Sequence, residues 1–206
     1  VGGVGGYVVE GLARTGVGSL DLIDNDTVSL TNINRQIIAL HSTIGKDKVE
    51  VMRDRVLDIN PNCKVNIHKT FYLPETAGEF DFREYDYIVD AIDTVAGKLM
   101  LIEEAKRCGT PIICSLGAGS HLDPLSFKVS DISKTSMCPL AKVMRHELKK
   151  RNIKDVKVVY STEEPIRARI LSEEVSAKRS IPGSIAYVPS VVGLIICSEV
   201  IKDLTK

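Results

Sequence analysis

The composition is that of a globular protein with balanced charge. The chain has 206 residues, 44% of them hydrophobic, and 27 lysines and arginines offset 27 aspartates and glutamates. This balance predicts neither a nucleic-acid partner nor a membrane surface, and no apolar run reaches the roughly 20 residues that span a bilayer. The five cysteines form no C-x-x-C pair, which argues against a disulfide framework or a zinc site and favours a cytoplasmic location.

A glycine-rich loop opens the chain. Gly2, Gly3 and Gly5 stand before residues 7–13, which are compatible with a helix. In a doubly wound α/β sheet such a loop joins the first strand to its helix, so that backbone N–H groups and the helix dipole face a phosphate. No apolar strand precedes the loop. We therefore expect the first strand, and with it part of the natural polypeptide, to lie upstream of Val1.

An acidic residue ends the next predicted strand, residues 19–24. Asp24 stands about 20 residues beyond Gly5, which is the spacing expected of a ribose-binding carboxylate in a nucleotide-binding fold. The same pattern also arises where a glycine loop serves only tight packing, so it does not identify a nucleotide by itself.

Helical and strand-like periods alternate along the rest of the chain, which is typical of an α/β fold. The predicted elements are a helix at 46–60, strands at 64–68 and 85–90, a helix at 95–108, strands at 111–116, 127–132 and 157–160, and helices at 139–151 and 190–202. We predict a doubly wound, Rossmann-like, mostly parallel sheet in a single domain, residues 1–206. Its nucleotide-binding half is residues 1–120.

Amide and cationic side chains follow Asp24. Asn32, Asn34 and Arg35 lie on a predicted polar turn, and Lys48 lies near the start of the next helix. Arg35 offers a planar fork suited to phosphate oxygens, and Lys48 adds a compact positive charge. A lone arginine or lysine is usually a solvated surface cation. Their joint placement after a ribose-binding acid predicts ATP, because these cations fit a triphosphate better than NAD.

Asp93 and Thr94 stand just beyond the predicted strand at 85–90. A carboxylate at this edge of a sheet is placed to hold Mg²⁺ against the phosphates of a nucleotide. The alternative is that Asp93 caps the helix at 95–108, and the two roles are compatible.

Together these motifs resemble the ubiquitin-activating-enzyme-like superfamily, whose members activate a carboxylate by attaching AMP to it. The resemblance implies ATP and Mg²⁺ as cofactors. It implies that Asp24 is the ribose ligand, that Asn32 and Arg35 contact the triphosphate, and that Lys48 contacts the α- and β-phosphates. Asp93 is the implied Mg²⁺-associated carboxylate. The implied catalytic residues are Arg35, Lys48 and Asp93, and the implied nucleotide-binding set adds Gly2, Gly3, Gly5, Asn34 and Thr94.

Motifs in the second half are similar to those of the tRNA threonylcarbamoyladenosine dehydratases. They are Leu116-Gly117-Ala118-Gly119, Leu122-Asp123-Pro124, Cys138-Pro139-Leu140-Ala141, Tyr160-Ser161, Glu163-Glu164-Pro165 and Gly183-Ser184-Ile185. In that family ATP drives cyclisation of the threonyl group on a modified adenosine of tRNA, through an acyl-adenylate. The resemblance implies a tRNA substrate and a homodimer, with both contacts in residues 121–206. The pattern departs at Gly6, where serine is common.

A basic stripe and a cysteine bear on that substrate. Residues 133–157 carry eight cations and two carboxylates, and Lys142, Arg145 and Lys149 share one helical stripe. This stripe predicts contact with tRNA phosphates, the alternative being a solvated helix face.

Cys138 precedes a helix, where a thiolate is stabilised, and ubiquitin-handling members of the superfamily use a cysteine thioester. A structural role for Cys138 is the alternative.

Three other functions fit part of the pattern. An adenylyltransferase for the C-terminus of a sulfur-carrier or ubiquitin-like protein shares the nucleotide motifs, but many of its zinc-containing members have the paired C-x-x-C motifs that this chain lacks. A non-catalytic ATP-binding scaffold is disfavoured by the complete set of site residues. An NAD oxidoreductase is disfavoured by Arg35 and Lys48.

Overall fold

The computed structural model describes residues 1–73, 75–166 and 183–206. Helices and strands alternate along these ranges, which confirms the predicted α/β class. The helices are α1 (Gly5–Arg14), α2 (Lys48–Ile59), α3 (Val95–Cys108), α4 (Pro139–Lys150) and α5 (Tyr187–Leu204). The strands are β1 (Ser19–Ile23), β2 (Lys64–His68), β3 (Ile88–Asp90), β4 (Ile112–Leu116), β5 (Phe127–Asp131) and β6 (Lys157–Ser161).

The strands form two sheets. β1 and β2 pair in parallel, and a second sheet of four strands has the order β3-β4-β6-β5. In the second sheet β3, β4 and β6 run parallel, and β5 runs antiparallel to β6 at the edge. The mostly parallel arrangement is confirmed. Among the strands that the structure describes, none pairs with both β1 and β3. The two sheets are therefore separate. A strand upstream of Val1 stays a prediction.

Two glycines let α1 and α5 pack closely. A Cβ placed on Gly193 would lie 2.6 Å from the carbonyl oxygen of Val4, and one on Gly11 would lie 2.6 Å from the Cys197 Sγ. Either substitution would therefore push the helices apart. The buried face of α5 carries Val188, Val192 and Ile196, which pack in one apolar cluster with residues of α1, β4 and β6.

Apolar side chains at helical spacing position α2. Val49, Met52 and Val56 are fully buried and pack with Leu22 of β1 in a separate apolar cluster. This packing brings the first turn of α2, and with it Lys48, to the end of β1. α3 and α4 pack on the four-stranded sheet through a third apolar cluster.

Several predicted boundaries differ from the structure, among them the starts of β3, α5 and α1. The strand predicted at 85–90 begins only at Ile88, because a short 3-10 helix, Phe82–Glu84, and Tyr85 at its end precede it. The last helix begins at Tyr187, not at 190. Pro189 lies in its first turn, where a backbone N–H has no acceptor within the helix, so proline is tolerated there. The first helix begins at Gly5, inside the glycine loop.

The remaining bounds agree within two residues, and those of β2 and α3 agree fully. β2 spans Lys64–His68, and α3 spans Val95–Cys108 and ends at Gly109, whose φ of 76° is the left-handed conformation that favours glycine after a helix. Among the helices that the structure describes, none has the length and apolar character needed to cross a membrane.

Candidate active site

The glycine loop lies where four segments of the chain meet. A Cβ on Gly5 would lie 3.5 Å from Ala91, just beyond β3, and one on Gly2 would lie 4.0 Å from the Gln36 Nε2. A Cβ on Gly3 would lie 3.3 Å from the Pro189 Cβ and 3.5 Å from the Arg35 Cγ. The small loop thus allows the ends of β1 and β3, the Arg35 turn and the start of α5 to converge, as expected for a ligand site in an open α/β sheet.

Asp24 follows β1 directly and lies beside Val1, at the start of the glycine loop. Its Oδ2 lies 2.6 Å from the Val1 nitrogen, and its Oδ1 accepts from the Asp26 N–H at 2.9 Å. An ionised carboxylate is an acceptor only, which suits the two hydroxyls of a ribose.

Lys48 is buried, with 5% of its surface exposed, and its pairing with Asp26 holds it near Asp24. Its Nζ donates to the Asp26 Oδ2 at 2.7 Å, and its backbone N–H donates to the Asp26 carbonyl oxygen at 3.0 Å. An ammonium has three N–H donors, so donors remain for a second acceptor. The site therefore contains a buried positive charge next to the predicted ribose ligand, as the sequence motif indicates.

Arg35 lies against the glycine loop. Its stem packs beside Gly3, and its NH1 donates to the Thr31 carbonyl oxygen at 2.8 Å and to the Asn34 Oδ1 at 3.0 Å. Asn32 is 8% exposed, and its Oδ1 accepts from the Ser29 N–H at 3.1 Å. The structure thus brings Arg35 to the glycine loop, while the Asn32 Oδ1 stabilises the start of the 3-10 turn Leu30–Asn32.

Asp93 and Thr94 lie exposed on the loop between β3 and α3. The Thr94 hydroxyl accepts from the Gly97 N–H at 3.3 Å, so Thr94 is the N-cap of α3 and the alternative that Asp93 caps this helix is wrong. Throughout the described ranges no group of three or more His, Cys, Asp or Glu side chains is placed to hold a metal. A single carboxylate still suits Mg²⁺, which is typically held by one or two carboxylates together with phosphate oxygens and waters.

Two buried polar features of the site were not predicted as site residues. Lys98 of α3 is 1% exposed and forms an ion pair with Asp90 at the end of β3. The sequence feature that indicates a buried Lys98 is its position one helical turn before Ile102, on the apolar face of the helix. Gln36 is 7% exposed, lies beside Gly2, and its Oε1 has no hydrogen-bond partner among the residues the structure describes. Its signal was its position directly after Arg35.

The predicted basic stripe on α4 divides into exposed and anchored cations. Lys142 and Lys149 are exposed. Arg145 is half-buried, and its NH1 donates to the Thr135 carbonyl oxygen at 2.9 Å and to the Thr135 hydroxyl. Arg145 therefore fixes the segment before α4 and presents less of its charge to solvent than the two lysines do.

Cys138 has a structural position at the N-terminus of α4. It is 5% exposed, and its Sγ accepts from the Ala141 N–H at 3.4 Å. Because the sulfur is buried and caps the helix, the structure favours the structural role over a thioester-forming one.

The chain is similar to known proteins over its whole length. Residues 1–206 match the ThiF family. A tRNA threonylcarbamoyladenosine dehydratase of Bacillus subtilis is 44% identical over 215 residues, which cover 100% of this chain and 85% of that protein. The crystal structure of Escherichia coli tRNA N6-threonylcarbamoyladenosine dehydratase in complex with ATP matches with a TM-score of 0.88 at 35% identity, covering 100% of this chain and 83% of that one.

Similarity to the adenylyltransferases is more restricted. A probable adenylyltransferase/sulfurtransferase of Mycobacterium tuberculosis is 32% identical over 112 residues, which are 54% of this chain and 28% of that protein. The ThiF match, by contrast, covers every residue, and the Bacillus relative exceeds 40% identity across this chain. The chain therefore belongs to the ThiF family.

Proposed function

We propose that this protein catalyses the ATP-dependent dehydration of N6-threonylcarbamoyladenosine in tRNA. One observation carries the proposal: similarity to the tRNA threonylcarbamoyladenosine dehydratases extends over the whole chain, whereas similarity to a sulfur-carrier adenylyltransferase covers 54% of it. The geometry supports it: Arg35 packs beside Gly3 of the glycine loop, Asp24 lies beside Val1 at the start of that loop, and Lys48 pairs with Asp26, two residues after Asp24.

The reaction proceeds in two steps. A carboxylate oxygen of the threonyl group attacks the α-phosphorus of ATP, the bond to the β-phosphate breaks, and pyrophosphate leaves. The carbamoyl group then attacks the activated carbonyl carbon and gives up its proton to solvent, which closes the ring. AMP leaves with the former carboxylate oxygen, so the nucleoside loses one water overall. Neither step needs a protein nucleophile, which agrees with the buried, capping position of Cys138.

Positioning and charge neutralisation are the contributions of the protein. Asp24 accepts hydrogen bonds from the ribose hydroxyls, and Arg35 and Lys48 neutralise the charge that develops on the leaving pyrophosphate. Asp93 would hold Mg²⁺, which when bound withdraws negative charge from the phosphates. The glycine loop brings backbone N–H groups at the start of α1 towards the phosphates.

The proposal includes a tRNA surface on α4 and a homodimer. Lys142 and Lys149 are exposed at the spacing of one helical face and supply the phosphate contacts. Val188, Val192 and Ile196 of α5 are buried within the chain, whereas Leu194 of the same helix is 49% exposed and accessible to a second subunit. A single domain of residues 1–206 and a cytoplasmic location, where tRNA is modified, belong to the same proposal.

A mass measurement of the product tests the function. The protein is incubated with ATP, Mg²⁺ and threonylcarbamoylated tRNA, the tRNA is digested, and the modified nucleoside is weighed. We expect a nucleoside lighter by one water and an equal amount of AMP. Asp24→Asn should abolish most of the product, while Asp54→Asn, at a carboxylate with a 69% exposed side chain on α2, should not. ATP–pyrophosphate exchange that depends on a small carrier protein, with no lighter nucleoside, would instead support the adenylyltransferase.

A further inference from the structure

We propose that Asn34 is a positioning residue that orients Arg35 for the triphosphate of ATP. The inference rests on the proposed function only in taking ATP as the ligand. It starts from the carboxamide of Asn34, which is bonded at both ends: the Oδ1 accepts from the Arg35 NH1 at 3.0 Å, and the Nδ2 donates to the Ser184 carbonyl oxygen at 2.9 Å. One partner is a donor and the other an acceptor, so together they define the orientation of the amide.

The far end of this bridge is anchored to the rest of the site. Ser184 is 150 residues from Asn34 along the chain. The preceding residue, Gly183, accepts at its carbonyl oxygen from the Ser120 N–H at 2.8 Å, on the loop that leaves β4. Asn34 thus links the Arg35 turn to a backbone segment that is itself tied to the carboxyl end of the second sheet. A side chain held at both ends is a firmer support than one that is free to rotate.

The orientation of Arg35 follows from which of its N–H donors are already bonded. A guanidinium has five N–H donors, and both donors of NH1 are used, by the Thr31 carbonyl oxygen and by Asn34. Because the stem also packs beside Gly3, the group is restrained at both ends. Among the residues that the structure describes, none bonds the Nε and NH2 edge, which forms a planar fork that matches two phosphate oxygens. A donor that is already in place needs no reorganisation when the phosphate arrives.

Calorimetric titration with ATP and, separately, with AMP tests this role. Asn34→Ala should weaken ATP binding by roughly three- to tenfold, the scale of one net hydrogen bond, and leave AMP binding unchanged because AMP lacks the β- and γ-phosphates. Asn34→Asp should weaken ATP binding further. Its carboxylate still accepts from Arg35 but offsets the positive charge, and it places an oxygen against the Ser184 carbonyl oxygen. Asn62→Ala, at an exposed asparagine after α2, is the matched control.

The contrast between the two nucleotides separates positioning from general loop stability, which would lower both affinities together. Equal losses for ATP and AMP, or unchanged ATP binding by Asn34→Ala in a protein that binds ATP normally, would overturn the inference while leaving the proposed function intact. Absence of ATP binding by the wild-type protein would overturn both. Circular dichroism of each variant confirms that the fold is retained.

Discussion

Lys98 donates to both carboxylate oxygens of Asp90, at 3.2 and 3.1 Å, where the two side chains are 2% and 0% exposed. Its Nζ also donates to the Ser115 carbonyl oxygen at 2.7 Å, and the Asp90 Oδ1 accepts from the Ile92 N–H at 3.0 Å. This buried pair therefore joins the ends of β3 and β4 and supports the loop that carries Asp93.

Lys98→Met should lower the free energy of unfolding by about 3 to 5 kcal/mol, because it leaves the Asp90 carboxylate buried without its partner. The double variant Asp90→Asn with Lys98→Met should lose less than the sum of the two single losses, since no unpaired charge remains. Urea denaturation of the wild type, the two single variants and the double variant gives the double-mutant cycle. Additive losses would show that the two side chains do not stabilise each other.

Arg35→Ala should cost about 2 to 4 kcal/mol of transition-state stabilisation, by analogy with the loss of one preorganised charge-stabilising donor. In kcat/KM for the dehydration this is a fall of roughly 30- to 900-fold. Arg83→Ala is the control, since the side chain of Arg83 is 74% exposed and pairs with Asp81 before β3. A loss under threefold in Arg35→Ala would contradict its assigned role.

Glu10 should make stability depend on pH. It is 7% exposed and accepts from Arg55 at 2.6 Å and Arg14 at 2.7 Å. Burial alone would raise the pKa of Glu10, but these arginines lower it more, and the net shift of the pKa is downward. A carboxyl whose pKa is lower in the folded state stabilises the fold above its unfolded pKa, about 4.3 for glutamate, and this contribution is lost as pH falls through the folded pKa.

The free energy of unfolding of wild type minus that of Glu10→Gln should therefore be constant near neutral pH and shrink as pH falls below about 4.3. Guanidinium denaturation at a series of pH values measures it. A difference that grows on acidification would show that the arginines do not hold Glu10 ionised in the folded protein.

His121→Phe should stabilise the protein. His121 is 5% exposed, packs edge-on against Phe127 at 5.6 Å, and neither of its ring nitrogens has a hydrogen-bond partner within the ranges described. Buried unpaired polar atoms cost roughly 1 to 3 kcal/mol, and an aromatic ring of similar shape removes them. Thermal unfolding should therefore show a raised Tm. A lowered Tm would indicate that the imidazole has a partner in solution.

The double variant Lys142→Ala with Lys149→Ala should weaken tRNA binding. The slope of the logarithm of the association constant against the logarithm of the salt concentration should become less negative by roughly 1.4 to 1.8, as expected for two lost phosphate contacts. Arg145→Ala should have a mixed effect, because Arg145 also anchors Thr135. The matched control, Lys64→Ala with Arg53→Ala, removes two cations from β2 and α2. An equal change of slope in the control would show that net charge, not the α4 surface, sets the affinity.

Local signals predicted much of the fold. The bounds of β2 and the cap of α3 at Gly109 agree with the structure because strand and helix ends are governed by residues within one turn. The starts of β3 and α5 were less predictable. Tyr85 has the apolar character of a strand residue but ends a short 3-10 helix, and Pro189 looks like a helix boundary although it occupies a tolerated position in the first turn.

The sequence by itself determined the α/β class, the order of the elements and the motif residues Asp24, Arg35 and Lys48, because hydrophobic period and motif spacing are properties of neighbouring residues. Tertiary structure alone decided which of them have partners. Asn34 meets Ser184 across 150 residues, and the close packing of α1 on α5 depends on where Gly11 and Gly193 fall on two distant helices. Such contacts depend on how separate elements pack in three dimensions, which no local pattern encodes.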